Sequence, residues 1–377
     1  MNTSNRFVFD VCVAGGLVVA LLFVIILDKL LPSAAAPAGV QVTTTTPPPP
    51  PPPPKPLRLA ITPSAKSKGS EIPWDDVGRL LDSLGQGYKH ITVQEYELLQ
   101  ARRFDDFDVL FLTCAPGGTE RELTRNLRSF VEEGGTLYAS DWRFDCVAAA
   151  FSEFTDFYRK DEGQNQELTA TVLDPGLKDV LGSTVPLRFD MPQWKTASFL
   201  TDKVKVLLEG RYKKQNGLGH AVAPLLVKFQ VGKGTVIFTS FHNEKQNSDV
   251  ETKLLKFLVF SAVTAQAESK AMQTMVKGGF SPQKSNLLSA SSDNPSVTQT
   301  YHSKKKGRIR FDLAFDPGAR LKLTVVSPQG KKYEQEGDQS LHIEAEGIAP
   351  GPWQYTITAL HVPYPNYPFS VVIGEPE

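Results

Sequence analysis

The chain has 377 residues, 41% of them hydrophobic and 22% charged, a length and composition that suit roughly two globular domains. Forty-one basic residues balance forty-one acidic ones, so no net field holds a polyanion and nucleic-acid binding is not expected of the chain as a whole. Three cysteines, Cys12, Cys114 and Cys146, are too few and too irregularly spaced for a disulfide framework or a cysteine-rich zinc site.

Residues 11–27 carry neither charge nor proline. As a helix they would rise about 26 Å, close to the hydrocarbon thickness of a bilayer. Asp10 on one side and Asp28 with Lys29 on the other mark where the segment must reach the headgroups. Residues 7–29 are therefore expected to form a single transmembrane helix, with a cleaved secretory signal as the competing reading. Residues 30–56 follow as a Thr/Pro-rich stalk containing eight consecutive prolines. In polyproline II form that block is a spacer of about 25 Å. The expected location is the cell membrane, single-pass, with the folded region extracytoplasmic and the membrane itself as first partner.

Residues 57–62 (LRLAIT) begin a strand, and 74–84 place Val77, Leu80, Leu81 and Leu84 on one helical face. Strands follow at 88–93 and 107–113, then a helix at 120–133 ended by Gly134 and Gly135, a strand at 136–140 (TLYAS) and a helix from Phe144. Apolar strands alternating with helices predict a parallel sheet covered on both faces. From 166 to 241 several β-rich stretches follow without long helices between them, Gly232-Lys233-Gly234 reads as a hairpin turn, and a helix at 249–263 closes the region.

The stretch FDVLFLTCAPGG, the helix ending in GG, the strand TLYAS and the late GKGTVIFTSFHNE together resemble the class I glutamine amidotransferase-like fold, including its trehalose-utilisation-type relatives, over residues 57–265. The resemblance implies a flavodoxin-like parallel sheet. It also implies a cysteine nucleophile on a glycine-flanked strand-to-helix elbow, activated by a later histidine and a glutamate separated from it by one residue. Here Ser140 falls at the nucleophile position, and Tyr138 and Trp142 stand where the flanking glycines should be. His242, Asn243 and Glu244 resemble the family's His-Pro-Glu, and Gly117 and Gly118 its oxyanion-binding loop.

A Ser140–His242–Glu244 arrangement is chemically competent when the base reaches the hydroxyl. The other outcomes are an inert remnant with Trp142 packed over the old pocket, and a ligand-binding relic lined by Gly117, Gly118, Asp141 and Trp142. Asp141 itself reads best as the N-cap of the helix that starts at Phe144. Cys114 and Cys146 read as buried structural thiols, with a bond between them as the alternative. Six histidines without HxH or HExxH spacing, and no phosphate-binding glycine fingerprint, leave no metal and no cofactor expected.

Residues 266–300 are polar and read as a linker. Residues 301–377 alternate apolar and polar side chains between DPG, SPQG and APGP turns, the rhythm of a β-sandwich similar to accessory modules of exported proteins. The basic run Lys304–Lys306 with Arg308 and Arg310 reads mainly as a solvated strand face, and Tyr364 and Tyr367 as aromatics packed at the sandwich edge. The expected function is that of a membrane-tethered binding or scaffolding protein, non-catalytic, with a protein or glycan partner. The alternative is a serine hydrolase acting on amide or ester bonds.

Overall fold

A computed structural model of the chain describes residues 57–377, apart from 67, 157–160, 197, 201, 216, 218, 247 and 349. The expected anchor and stalk lie outside the described residues. Among the described residues no helix is long and apolar enough to cross a membrane.

The first part runs β1 (Leu59–Ile61), α1 (Val77–Leu84), β2 (His90–Thr92), β3 (Val109–Leu112), α2 (Arg121–Glu132), β4 (Thr136–Ser140) and α3 (Phe144–Ala150). It continues through β5 (Glu162–Gly163), β6 (Gln166–Val172), α4 (Pro175–Leu181), β7 (Thr184–Phe189), β8 (Trp194–Lys195), β9 (Lys205–Lys213), β10 (His220–Val231) and β11 (Gly234–Thr239) to α5 (Asp249–Val263) and α6 (Ala265–Lys277). Local sequence accounts for the helix limits. Asp76 caps α1 by accepting the Arg79 N–H at 3.0 Å, and Ser248 with Glu251 forms a capping box at the start of α5. Gly134, at φ 124°, takes the chain out of α2 in a conformation other residues avoid.

Nine strands form one sheet in the order β2-β1-β3-β4-β11-β10-β9-β6-β7. The five from β2 to β11 are parallel, and β3, β4 and β11 are buried throughout, as strands covered on both faces must be. One cover contains Val77, Leu81, Leu254 and Leu258, the other Leu123, Leu127, Phe144 and Val147. The expectation of a parallel sheet is corrected for the rest: β11, β10, β9, β6 and β7 are joined antiparallel. The reason is connection length. Val231 pairs with Gly234 across the predicted Gly232-Lys233 turn, and a tight hairpin can only join antiparallel neighbours.

The second part comprises β12 (Phe280–Ala290), β13 (Ser296–Ser303), β14 (Gly307–Ala314), β15 (Arg320–Val326), β16 (Lys332–Gly337), β17 (Leu341–Ile348), β18 (Gly351–His361) and β19 (Tyr367–Pro376). They form two four-stranded sheets, β12-β19-β14-β17 and β13-β18-β15-β16. Phe311, Leu313 and Phe369 from one sheet meet Leu323, Trp353 and Tyr355 from the other in a shared core. Tyr367 is buried there and Tyr364 packs against the same core. Arg310 is buried beside Asp312 at 2.8 Å, and Arg308 pairs with Glu344.

The linker expected over 266–300 is corrected: α6, β12 and part of β13 occupy it. Ala271 and Met275 of α6 pack with Phe280 and Val372. Small and sulfur-containing side chains suffice where a helix lies close on a strand, so apolar density stays low enough to read as a connector.

Candidate functional site

Strands β3, β4 and β11 lie side by side, and their C-terminal ends deliver Cys114, the Ser140-Asp141 pair and His242 to one place. This is the edge at which open α/β sheets hold their functional groups. Ser140 is still extended, at φ −128° and ψ 142°. The next residue, Asp141, has φ 43°, and the chain then enters a short 3-10 turn and α3. A non-glycine residue held at positive φ on a strand-to-helix turn stores about 1–3 kcal/mol of strain and is the conformation of a nucleophile elbow.

The elbow therefore falls on Asp141, one residue beyond the Ser140 that the sequence placed there. Successive strand residues point to opposite faces, and the Ser140 hydroxyl accordingly donates to Asp75 Oδ2 at 2.5 Å instead of to His242. Asp75 Oδ2 also accepts the Cys114 N–H at 3.0 Å, and its Oδ1 accepts the Asn243 N–H at 2.9 Å. One buried carboxylate thus ties together all three strand ends. The N-cap reading of Asp141 is corrected as well: its Oδ1 accepts the Lys195 N–H at 2.5 Å, and its Oδ2 lies 3.0 Å from His242 Nε2.

The other imidazole nitrogen, Nδ1, lies 2.8 Å from Asp190 Oδ1. Asp190 fills the acidic role expected of Glu244, whose carboxylate instead pairs with Arg79. Burial raises the Asp141 pKa above the ordinary carboxylate range, although His242 and the Lys195 N–H act against it. Burial alone would lower the His242 pKa; the hydrogen bonds to Asp141 and Asp190 outweigh it and hold it well above 6.5. Asp190 is lifted by burial, yet the bond to His242 leaves it below the usual value.

Cys114 Sγ sits 3.7 Å from Asp141 Oδ2. Cys114 and Cys146 are both free and buried, and burial pushes each thiol up to about 12. Neither is a thiolate nucleophile at neutral pH.

Trp74 covers this cluster. Its indole stacks on the His242 ring with centroids 6.0 Å apart and planes inclined by 5°, and meets Trp142 edge-on at 5.1 Å. Trp142 is half-buried and donates its Nε1–H to the Gln193 carbonyl at 3.1 Å. Gly117 and Gly118, at φ 92° and 88°, pack around a different group. A Cβ on Gly118 would come within 2.9 Å of Arg143 Nη1, and that arginine donates to the Thr113 carbonyl at 2.9 Å and to Glu95 at 2.5 Å.

The structure thus unites Ser140, Asp141 and His242, with Trp142 beside them, and leaves Glu244, Gly117 and Gly118 on other partners. Asp75, Asp190 and the role of Cys114 were missed. Asp75 lies in a helix-start context that reads as capping, and Asp190 follows a strand by a single residue, with no spacing signature to single out either.

A parallel order β2-β1-β3-β4-β11, an elbow after β4 and a histidine after β11 make a mixed α/β domain with the strand-end arrangement that the amidotransferase-like resemblance implies. No family model and no curated protein matches the chain. Among solved structures it is similar to a ThuA-like protein from Bacteroides uniformis, with 11% identity over 62% of this chain and 96% of that one, at a TM-score of 0.41. A ThuA-like protein from Parabacteroides merdae is 14% identical, covering 55% of this chain and 90% of its own, at 0.36. The N-terminal domain of mmIFT52 is 13% identical, covering 54% and 96%, at 0.38.

Chemically, an aspartate on an elbow, a histidine bonded to it and a second aspartate orienting that histidine form a proton relay. To act on a substrate the relay must reach solvent, and Asp141 is 0% and His242 2% exposed.

Proposed function

We propose that the chain is a non-catalytic, membrane-tethered extracytoplasmic binding or scaffolding protein built on an amidotransferase-like domain that has lost its nucleophile. The observation that carries this reading is the elbow residue. Asp141 is fully buried, and its two oxygens are already engaged by the Lys195 N–H and His242. The hydrolase alternative needs Ser140 beside His242 with Glu244 behind it. Ser140 is turned to Asp75 and Glu244 to Arg79, so neither stands with His242 as a triad needs. Tethering rests on the uncharged run 11–27 and the stalk beyond it.

The test is exposure of the detergent-purified full chain to a fluorophosphonate probe, with mass-spectrometric mapping. The expected result is no adduct at Ser140 after a labelling time that saturates an authentic serine hydrolase. An adduct at Ser140 that disappears in His242→Ala would reverse the reading in favour of a hydrolase.

A further inference from the structure

Cys114, Asp141 and His242 come from the ends of three adjacent strands, and one donor atom from each lies within 4.8 Å of the others. All three residues are buried. We infer that Sγ of Cys114, Oδ2 of Asp141 and Nε2 of His242 form a binding site for a divalent transition-metal ion, zinc by donor chemistry.

The geometry fits. Zinc bonds of about 2.0 Å to nitrogen or oxygen and about 2.3 Å to sulfur place tetrahedral neighbours about 3.3–3.5 Å apart. The observed separations are 3.0 Å for Nε2 to Oδ2 and 3.7 Å for Sγ to Oδ2, with all three atoms within 4.8 Å of one another, so side-chain shifts of up to about 1 Å seat the ion. A mixed thiolate, imidazole and carboxylate set suits zinc, whereas hard cations favour oxygen-only shells. Three protein donors leave the fourth tetrahedral position to a small ligand such as water.

The surroundings are those of a metal site. A ligating histidine usually gives its second nitrogen to a carboxylate, which fixes the ring and raises its basicity; here Asp190 Oδ1 holds Nδ1 at 2.8 Å. The non-ligating oxygen of Asp141 is likewise held, by the Lys195 N–H at 2.5 Å. Asp75 and Asp141 are 3% and 0% exposed, and a dication bound to one thiolate and one carboxylate is neutral as a unit, so the ligand set adds no net charge to these buried carboxylates. The donors lie one to three residues beyond the ends of three adjacent strands. The site stands apart from the question of catalysis: behind Trp74 and Trp142 the ion would act by tying three strands together.

Because the site is closed, the ion must enter as the chain folds. The full chain is therefore produced in medium in which Co2+ replaces Zn2+, purified in detergent, and examined by metal analysis and absorption spectroscopy. Stoichiometric cobalt with a thiolate-to-cobalt charge-transfer band is expected. The band should vanish in Cys114→Ser and persist in Cys146→Ser and Cys12→Ser. Asp190→Asn keeps all three ligands and should weaken cobalt retention against a chelator by about 10–100-fold, which gives a readout if Cys114→Ser does not fold. Substoichiometric cobalt in the parent chain, a band that survives Cys114→Ser, or retention unaffected by Asp190→Asn would overturn the assignment.

Discussion

The hydroxyl of Tyr88, in the α/β part, donates to the carbonyl of Asn366, in the sandwich, at 2.7 Å. The Tyr88 ring also meets that of Tyr364 edge-on at 5.5 Å. Gly176, in the first turn of α4, approaches so closely that an added Cβ would lie 2.0 Å from the backbone oxygen of Ser285 in β12. Nearby, Lys284 pairs with Asp179 at 2.5 Å and Ser285 Oγ donates to Glu268 at 2.6 Å.

The two parts are accordingly expected to unfold together. Urea transitions followed by far-UV circular dichroism and by Trp fluorescence should coincide in the parent chain. Gly176→Ala, which drives a methyl into backbone, should lower stability by about 1–3 kcal/mol. Separated transitions, or an unchanged midpoint in Gly176→Ala, would show that the contact is incidental.

Asp75 and Ser140 allow a graded test of the strand-end network. Asp75→Ala leaves the Cys114 and Asn243 N–H groups and the Ser140 hydroxyl without their acceptor. The penalty should be about 3 kcal/mol or more, since each stranded buried donor costs about 1–3 kcal/mol. Ser140→Ala removes one donor from a carboxylate that retains two, and should cost about 1–2 kcal/mol. Equal losses in urea unfolding, or a larger one for Ser140→Ala, would mean that Asp75 is not the organising group.

Asp316 supplies a pH dependence. Burial, with a smaller push from Asp108, raises its pKa from 3.8 to about 7. The unfolded chain releases this proton first, so the contribution to stability is complete below about pH 4 and is lost as pH rises to about 7. Its size is on the order of 2–4 kcal/mol, at about 1.4 kcal/mol per pH unit and discounted for the part of the side chain that meets water. Stability measured from pH 4 to 8 should fall across that window in the parent chain and lose this component in Asp316→Asn. An identical slope in both would remove Asp316 as the source.

The alternation of strands and helices through β4 was legible because apolar runs such as VLFL in β3 and the leucines of α2 have only one way to be buried. The C-terminal strands were legible for the same reason, since Phe311 and Leu313 alternate with polar neighbours. The elbow was not. Whether the positive φ falls on residue 140 or 141 depends on where the strand ends, a matter of one residue that no periodicity fixes. Asp75, Asp190 and His242 are far apart in the chain and meet only through the sheet order, so their association has no local signature. The segment 266–300 misled for another reason: α6 faces β12 with Ala271 and Met275, and close packing of small groups looks like the composition of a connector.

Among the described residues β12 is an edge strand whose only strand partner is β19, and about 80 residues separate the two. At about 5–20 residues per second, a ribosome needs about 4–16 s to make that distance. During that interval β12 is synthesised and unpaired, with Phe280, Leu287 and Leu288 uncovered by the strand that will shield them. An open edge of this kind is a template for pairing with another chain. The order of synthesis therefore sets a window of vulnerability: the α/β sheet has all of its strands by Thr239, while β12 must wait for β19.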